Sequence, residues 1–159
     1  YNVPSRTGVE IKPETYRELA KHPNIVATKD AAGNISAVCN PVHLCGEDLA
    51  VYSGNDDQVI PLMSMGGLGV ISVVANVVPR EMHDLCRLFL DCKIAEAAKL
   101  QADLIPLNNV LFSDVNPIPV KEALNQMGRA VGPCRLPLVE MSDAGREALA
   151  AELRRWKLA

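Results

Sequence analysis

Asn24-Ile25-Val26-Ala27-Thr28-Lys29, followed by Asp30-Ala31-Ala32-Gly33-Asn34, is the stretch on which the fold turns. Its first six residues carry apolar side chains on both parities and end on a cation, as a short parallel strand covered on both faces does. Helical periodicity then runs from Asn34 to about Cys45. The same alternation extends outward in both directions. Strands are predicted over residues 24–29, 49–53 and 70–74, and further helices over residues 13–21, 56–65 and 79–90. Strand and helix taking turns in this way predict an α/β fold with a parallel sheet. Pro13 and Pro79 fit a first helical turn, where a missing N–H costs nothing. Pro41, inside the helix after Asn34, is expected to kink it or push its start later.

Beyond Cys92 the strand signals stop, and helical patterns cover roughly residues 95–111, 117–127 and 143–158. The chain therefore divides by pattern into 1–92, an α/β part, and 93–159, an all-helical part. Asn116 is expected to cap the second of these helices, with Pro117 inside its start and Gly128 just past its end. Ser142 or Asp143 is expected to cap the last, where Leu149, Leu153 and Trp156 recur at helical spacing.

Composition narrows the function. With 48% apolar and 22% charged residues, the 159-residue chain can bury a core. Its net charge of −3, with Lys and Arg scattered singly, leaves no basic stripe for nucleic acid. No apolar run approaches the roughly 20 residues of a membrane span, and no signal segment opens the chain, which predicts a cytoplasmic protein with a small-molecule partner. Five cysteines, an odd number, argue against a disulfide framework and for free thiols. The opening on Tyr1 instead of Met fits a fragment or a processed product.

Lys29 is the first candidate for chemistry. By the period of two it shares a strand face with Ile25 and Ala27. In a closed apolar interior, desolvation would disfavour its ammonium and free the amine to attack a carbonyl carbon; in the open, the side chain would snorkel to water. Tyr1-Asn2-Val3-Pro4-Ser5-Arg6-Thr7-Gly8 reads as a strand end running into a loop, where Tyr1 is suited to relay a proton and Arg6 to grip a carboxylate. The alternative is a turn with one solvated Arg. In Ser53-Gly54-Asn55-Asp56-Asp57, the paired carboxylates read as caps and dipole partners before metal ligands, while Gly54 lets backbone approach a ligand closely. Gly66-Gly67-Leu68-Gly69 precedes a strand, so it lacks the context of a phosphate fingerprint. Cys39, His43, Cys45, His83, Cys86 and Cys92 match no compact zinc spacing. No metal or other cofactor is implied.

Taken together, these motifs resemble the dihydrodipicolinate synthases. The opening octapeptide, Lys29 with Asp30-Ala31-Ala32-Gly33-Asn34, Ser53-Gly54-Asn55-Asp56-Asp57, Gly69-Val70-Ile71-Ser72-Val73 with Ala75-Asn76-Val77, and Asn116-Pro117-Ile118-Pro119-Val120-Lys121 follow the family's order over essentially the whole chain. The resemblance implies the C-terminal half of a (β/α)8 TIM barrel, from the end of strand five through strand eight, followed by a helical region. It implies that Lys29 forms an imine with pyruvate and that the resulting enamine attacks L-aspartate 4-semialdehyde, on the route to lysine and diaminopimelate. Tyr1 then matches the proton relay, Arg6 the carboxylate-binding arginine, and Gly54 and Ile71 positions whose backbone lines the pyruvate pocket. Related pyruvate-dependent aldolases, N-acetylneuraminate lyase among them, share the opening and the lysine; Arg6 favours the synthase. Thr28, Asp30 and Pro41 depart mildly from the commoner pattern.

The resemblance also implies an absence. Three or four parallel strands cannot close a barrel, so the first half is expected from elsewhere, with a threonine and a second tyrosine of the relay and the usual lysine feedback site. Alone, the chain is expected to expose a sheet edge and an apolar inner face and to be inactive or nearly so. The family suggests a homo-oligomer, dimer or tetramer. The rival expectation is a non-catalytic half-barrel that serves as an association module.

Overall fold

The computed structural model describes residues 1–159. Three short parallel strands, β1 (Ala27–Asp30), β2 (Ala50–Ser53) and β3 (Gly69–Val70), lie in the order β1-β2-β3. Register pairs Ala27 with Ala50, Lys29 with Tyr52, and Tyr52 with Gly69. Around and after them run α1 (Pro4–Thr7), α2 (Pro13–Leu19), α3 (Ile35–Cys45), α4 (Val59–Ser64), α5 (Pro79–Leu90), α6 (Ile94–Leu111), α7 (Ile118–Gln126) and α8 (Asp143–Arg155). The α/β class follows the sequence reading, and the elements after β3 are all helical.

The two faces of the sheet differ. Thr28, Val51 and Ser53 are buried, whereas Ala27, Lys29, Ala50 and Tyr52 on the other parity stay partly or fully open. Val51 packs with Val38 of α3 and Leu62 of α4, each burial stabilising by about 1.5–3 kcal/mol. The helix-covered face thus holds the sheet together, and the other stays open.

Several boundaries move, each for a local reason. β1 begins at Ala27, not Asn24, because Ile25 packs against Tyr16, Cys45 and Leu49 instead of sharing the open face with Lys29. β3 is two residues long where five were expected: its only neighbour, β2, ends at Ser53, and the last ladder bond runs from Ile71 N to Ser53 O at 2.8 Å. The chain then winds into a 3-10 turn over Val74–Asn76. The expected loop after Tyr1 is instead the helical turn α1, closed by Gly8 at φ 70°; the left-handed conformation there suits a residue without Cβ. Pro41 lies inside α3, which nevertheless runs unbroken from Ile35. The 56–65 helix divides into a 3-10 turn, Asp56–Gln58, and α4. Pro117, not Asn116, occupies the N-cap of α7, whereas Ser142 caps α8 by accepting from Gly145 N at 3.2 Å.

Contacts divide the chain into two interleaved units. Residues 1–72 with 86–98 form one, and residues 73–85 with 99–159 the other. The first contains the sheet. The second buries Leu104, Leu107, Leu111, Leu149 and Leu153 almost completely, and Arg146 braces it by pairing with Glu140 at 2.7 Å. All five cysteines are unpaired. No helix is long and apolar enough to cross a membrane.

Tyr16, 4% exposed, carries a hydroxyl without a hydrogen-bond partner in ordinary geometry. Burial pushes it from 10.0 up to about 12, partly offset by the neighbouring Thr28 hydroxyl and assisted by the charge of Asp30. The folded state therefore holds this proton more tightly than the unfolded chain. Stability from this site is fully present below the unfolded value and is lost as pH rises through the folded one. Tyr16→Phe is expected to flatten the alkaline fall in Tm, measured by scanning calorimetry from neutral pH upward; a slope identical to the parent's would show that the buried phenol is not its source.

Candidate active site

Strand pairing builds the site. Asn2 bridges to Asp30 in parallel, its N–H donating to Lys29 O at 2.9 Å while Ala31 N donates to Asn2 O at 2.8 Å. This single bridge sets the segment carrying Tyr1 beside β1. Lys29 Nζ then lies 4.4 Å from the centroid of the Tyr1 ring, within the range of a cation–π contact worth about 0.5–1 kcal/mol where water is near. Tyr1 is 62% exposed. The pair stands at the C-terminal end of its strand, where parallel α/β folds build their sites.

Gly54 closes the other side of the lysine. Its N–H donates to Asp30 O at 2.6 Å, and a Cβ added to it would stand 2.7 Å from Ala31 Cβ and 3.0 Å from both Asp30 O and Lys29 Cε. Only a residue without a side chain lets β2 pass this close to the lysine stem. Beyond it, Ser53 is fully buried; its Oγ donates to Asn55 O at 2.7 Å and accepts from Asn55 N at 3.1 Å. Asn55 Nδ2 reaches Gln58 Oε1 at 3.3 Å, and Gln58 Nε2 reaches Gly33 O at 3.4 Å, so the loops after β1 and β2 are tied.

Of the five residues named from the sequence, the closest contacts join Tyr1, Lys29 and Gly54. Ile71 follows β3, its backbone anchored on Ser53 and its side chain about half exposed. Arg6 is exposed on α1, where its N–H donates to Val3 O at 2.9 Å. Sequence reasoning missed Tyr52, the register partner of Lys29 on the same face, because register is a pairing property. It also missed the side-chain bond from Asn2 Nδ2 to Asp30 Oδ2 at 2.9 Å. The signal for that pair was present, since each residue directly follows a site residue. No group of three or more His, Cys, Asp or Glu is gathered for a metal ion.

The geometry offers one primary amine against an aromatic hydroxyl-bearing ring, with backbone pressed to the amine's stem. That arrangement suits carbonyl chemistry through an imine.

Known proteins resemble the chain over nearly all of its length. A sequence profile of the dihydrodipicolinate synthetase family matches residues 1–156. The 4-hydroxy-tetrahydrodipicolinate synthase of Caldicellulosiruptor bescii is 54% identical over 149 residues, 94% of this chain and 50% of the relative. That of Thermoanaerobacter sp. is 52% identical over 159 residues, 99% of this chain and 54% of the relative. The crystal structure of dihydrodipicolinate synthase from Thermotoga maritima superimposes with a TM-score of 0.95 at 41% identity, covering 100% of this chain and 55% of that one. The chain spans about half the length of the curated relatives it matches. It belongs to the dihydrodipicolinate synthetase family.

Proposed function

We propose that this chain supplies the imine-forming half of a (β/α)8 barrel that condenses pyruvate with L-aspartate 4-semialdehyde. Residues 1–92 would form its barrel portion and 93–159 its helical region. The observation that carries the reading is Lys29 itself, its Nζ 4.4 Å from the centroid of the Tyr1 ring and its Cε packed close to the bare backbone of Gly54. The Lys29 amine adds to the pyruvate carbonyl and expels water as the imine forms. Loss of a methyl proton gives the enamine, whose carbon attacks the aldehyde of the semialdehyde; the second substrate's amine then displaces Lys29 as the ring closes. Tyr1 relays the protons, Arg6 binds the second substrate's carboxylate, and backbone at Gly54 and Ile71 lines the pyruvate pocket.

The remaining strands of the barrel enclose the amine in this proposal, and turnover belongs to the complete barrel. Assembly as a dimer or tetramer rests on the family resemblance. Borohydride reduction in the presence of pyruvate, followed by peptide mapping of the assembled barrel, is expected to leave a single adduct on Lys29. A folded barrel with no adduct, or with one elsewhere, would overturn the reading. The exposed apolar side chains of Val26, Leu68 and Ile71 favour a second reading, a non-catalytic half-barrel that serves as an association module. Activity with sugar-acid aldehydes in place of the semialdehyde would instead mark another pyruvate aldolase.

A further inference from the structure

We propose that Asn2 and Asp30 are a positioning pair whose partly buried hydrogen bonds hold Tyr1 at the Lys29 amine. The inference rests on the imine reading above. Along an extended chain successive side chains take opposite faces. Asn2 and Asp30 each follow a site residue, so their contact on one side of the bridge is the counterpart of the Tyr1–Lys29 contact on the other. One bridge is a weak ladder, and side chains supply the rest. Asn2, 2% exposed, donates from Nδ2 to Asp30 Oδ2 at 2.9 Å and accepts at Oδ1 from Ile11 N at 3.1 Å. Asp30 Oδ1 accepts from Ala32 N at 3.1 Å, which closes the turn after β1.

Every polar atom of this pair is used, and the chemistry of the partners fixes which way the amide points. A carboxylate only accepts, so Nδ2 must face Asp30; a backbone N–H only donates, so Oδ1 must face Ile11. The bond between the two side chains is charge-assisted and sheltered. The pair touches no reacting atom. It acts through Tyr1, and its loss should slow proton transfer more than imine formation.

The arrangement has an exact chemical exchange. In Asn2→Asp/Asp30→Asn the amide at position 30 donates to the carboxylate at position 2, and both backbone N–H groups keep an oxygen to donate to. Asn2→Asp alone sets two carboxylates against each other. The test uses the complete barrel and two readouts, trapping of pyruvate on Lys29 by borohydride and exchange of pyruvate methyl protons into deuterated water. In Asn2→Asp, exchange is expected to fall about tenfold or more relative to trapping. It should recover as pH drops and the carboxylates share a proton. The exchanged pair is expected to return within about threefold of the parent, because residues in one hydrogen-bond network couple instead of adding.

Should Asn2→Asp not fold, Asp30→Asn carries the test: its exchange rate falls and adding Asn2→Asp raises it again. Equal losses in trapping and exchange, or no rescue by the exchanged pair, would overturn the positioning role while the aldolase reading stands. A parent protein that never traps pyruvate on Lys29 overturns both.

Discussion

Lys29→Arg is expected to abolish the pyruvate adduct that borohydride traps in the complete barrel, and to lower turnover by at least about a thousandfold, or about 4 kcal/mol of barrier. The substitution keeps the positive charge and most of the apolar stem, so the strand end and the contact with Tyr1 are disturbed little. A guanidinium, however, stays protonated and has no free primary amine to add to a ketone. Charge alone therefore fails where an amine is required. Intact-mass measurement with and without pyruvate and borohydride decides the matter. An adduct of undiminished yield in the arginine variant would place the nucleophile on another residue and remove the central role proposed for Lys29.

Gly54→Ala comes second in expected effect. Its new methyl group would meet Ala31 Cβ at 2.7 Å and Asp30 O at 3.0 Å. Asp30 ends β1 and Ala31 opens the turn after it; both are poorly free to move, so the two segments must part. The third neighbour, Lys29 Cε at 3.0 Å, is the stem of the proposed nucleophile. Overpacking of this kind costs about 1–3 kcal/mol, and displacement of a reacting group by about 1 Å costs roughly a hundredfold in rate. A fall in Tm with imine formation slowed by about that factor is expected. Stopped-flow measurement of imine formation beside calorimetry separates the two effects. Unchanged imine kinetics would mean that the approach of Gly54 to the lysine has no bearing on the chemistry.

Both predictions depend on how strands pair, and that is where reading the sequence reached its limit. Lys29 at a strand end and the Gly after Ser53 were legible as residue types in the right local pattern. Their adjacency was not, because register couples residues more than twenty positions apart. The same limit explains Ile25. Alternation put it on the face of Lys29, yet the strand starts two residues later, and the apolar pocket of Tyr16, Cys45 and Leu49 takes its side chain. The length of β3 failed for a related reason. Val70 to Val74 has the composition of a longer strand, but a strand extends only as far as a neighbour offers carbonyls and N–H groups.

The sequence by itself determined the α/β class, a cap for the last helix at Ser142 or Asp143 and, through its ordered motifs, the family. These are local properties: periodicity, turn chemistry and residue identity over short windows. Tertiary structure decided that Tyr1 lies on Lys29, that Gly54 must be bare, and that Asn2 and Asp30 lock the two segments together on the opposite side. Each of those facts joins chain segments distant in sequence. Hydrogen-bond register and burial choose them together, and no window of the sequence contains both partners.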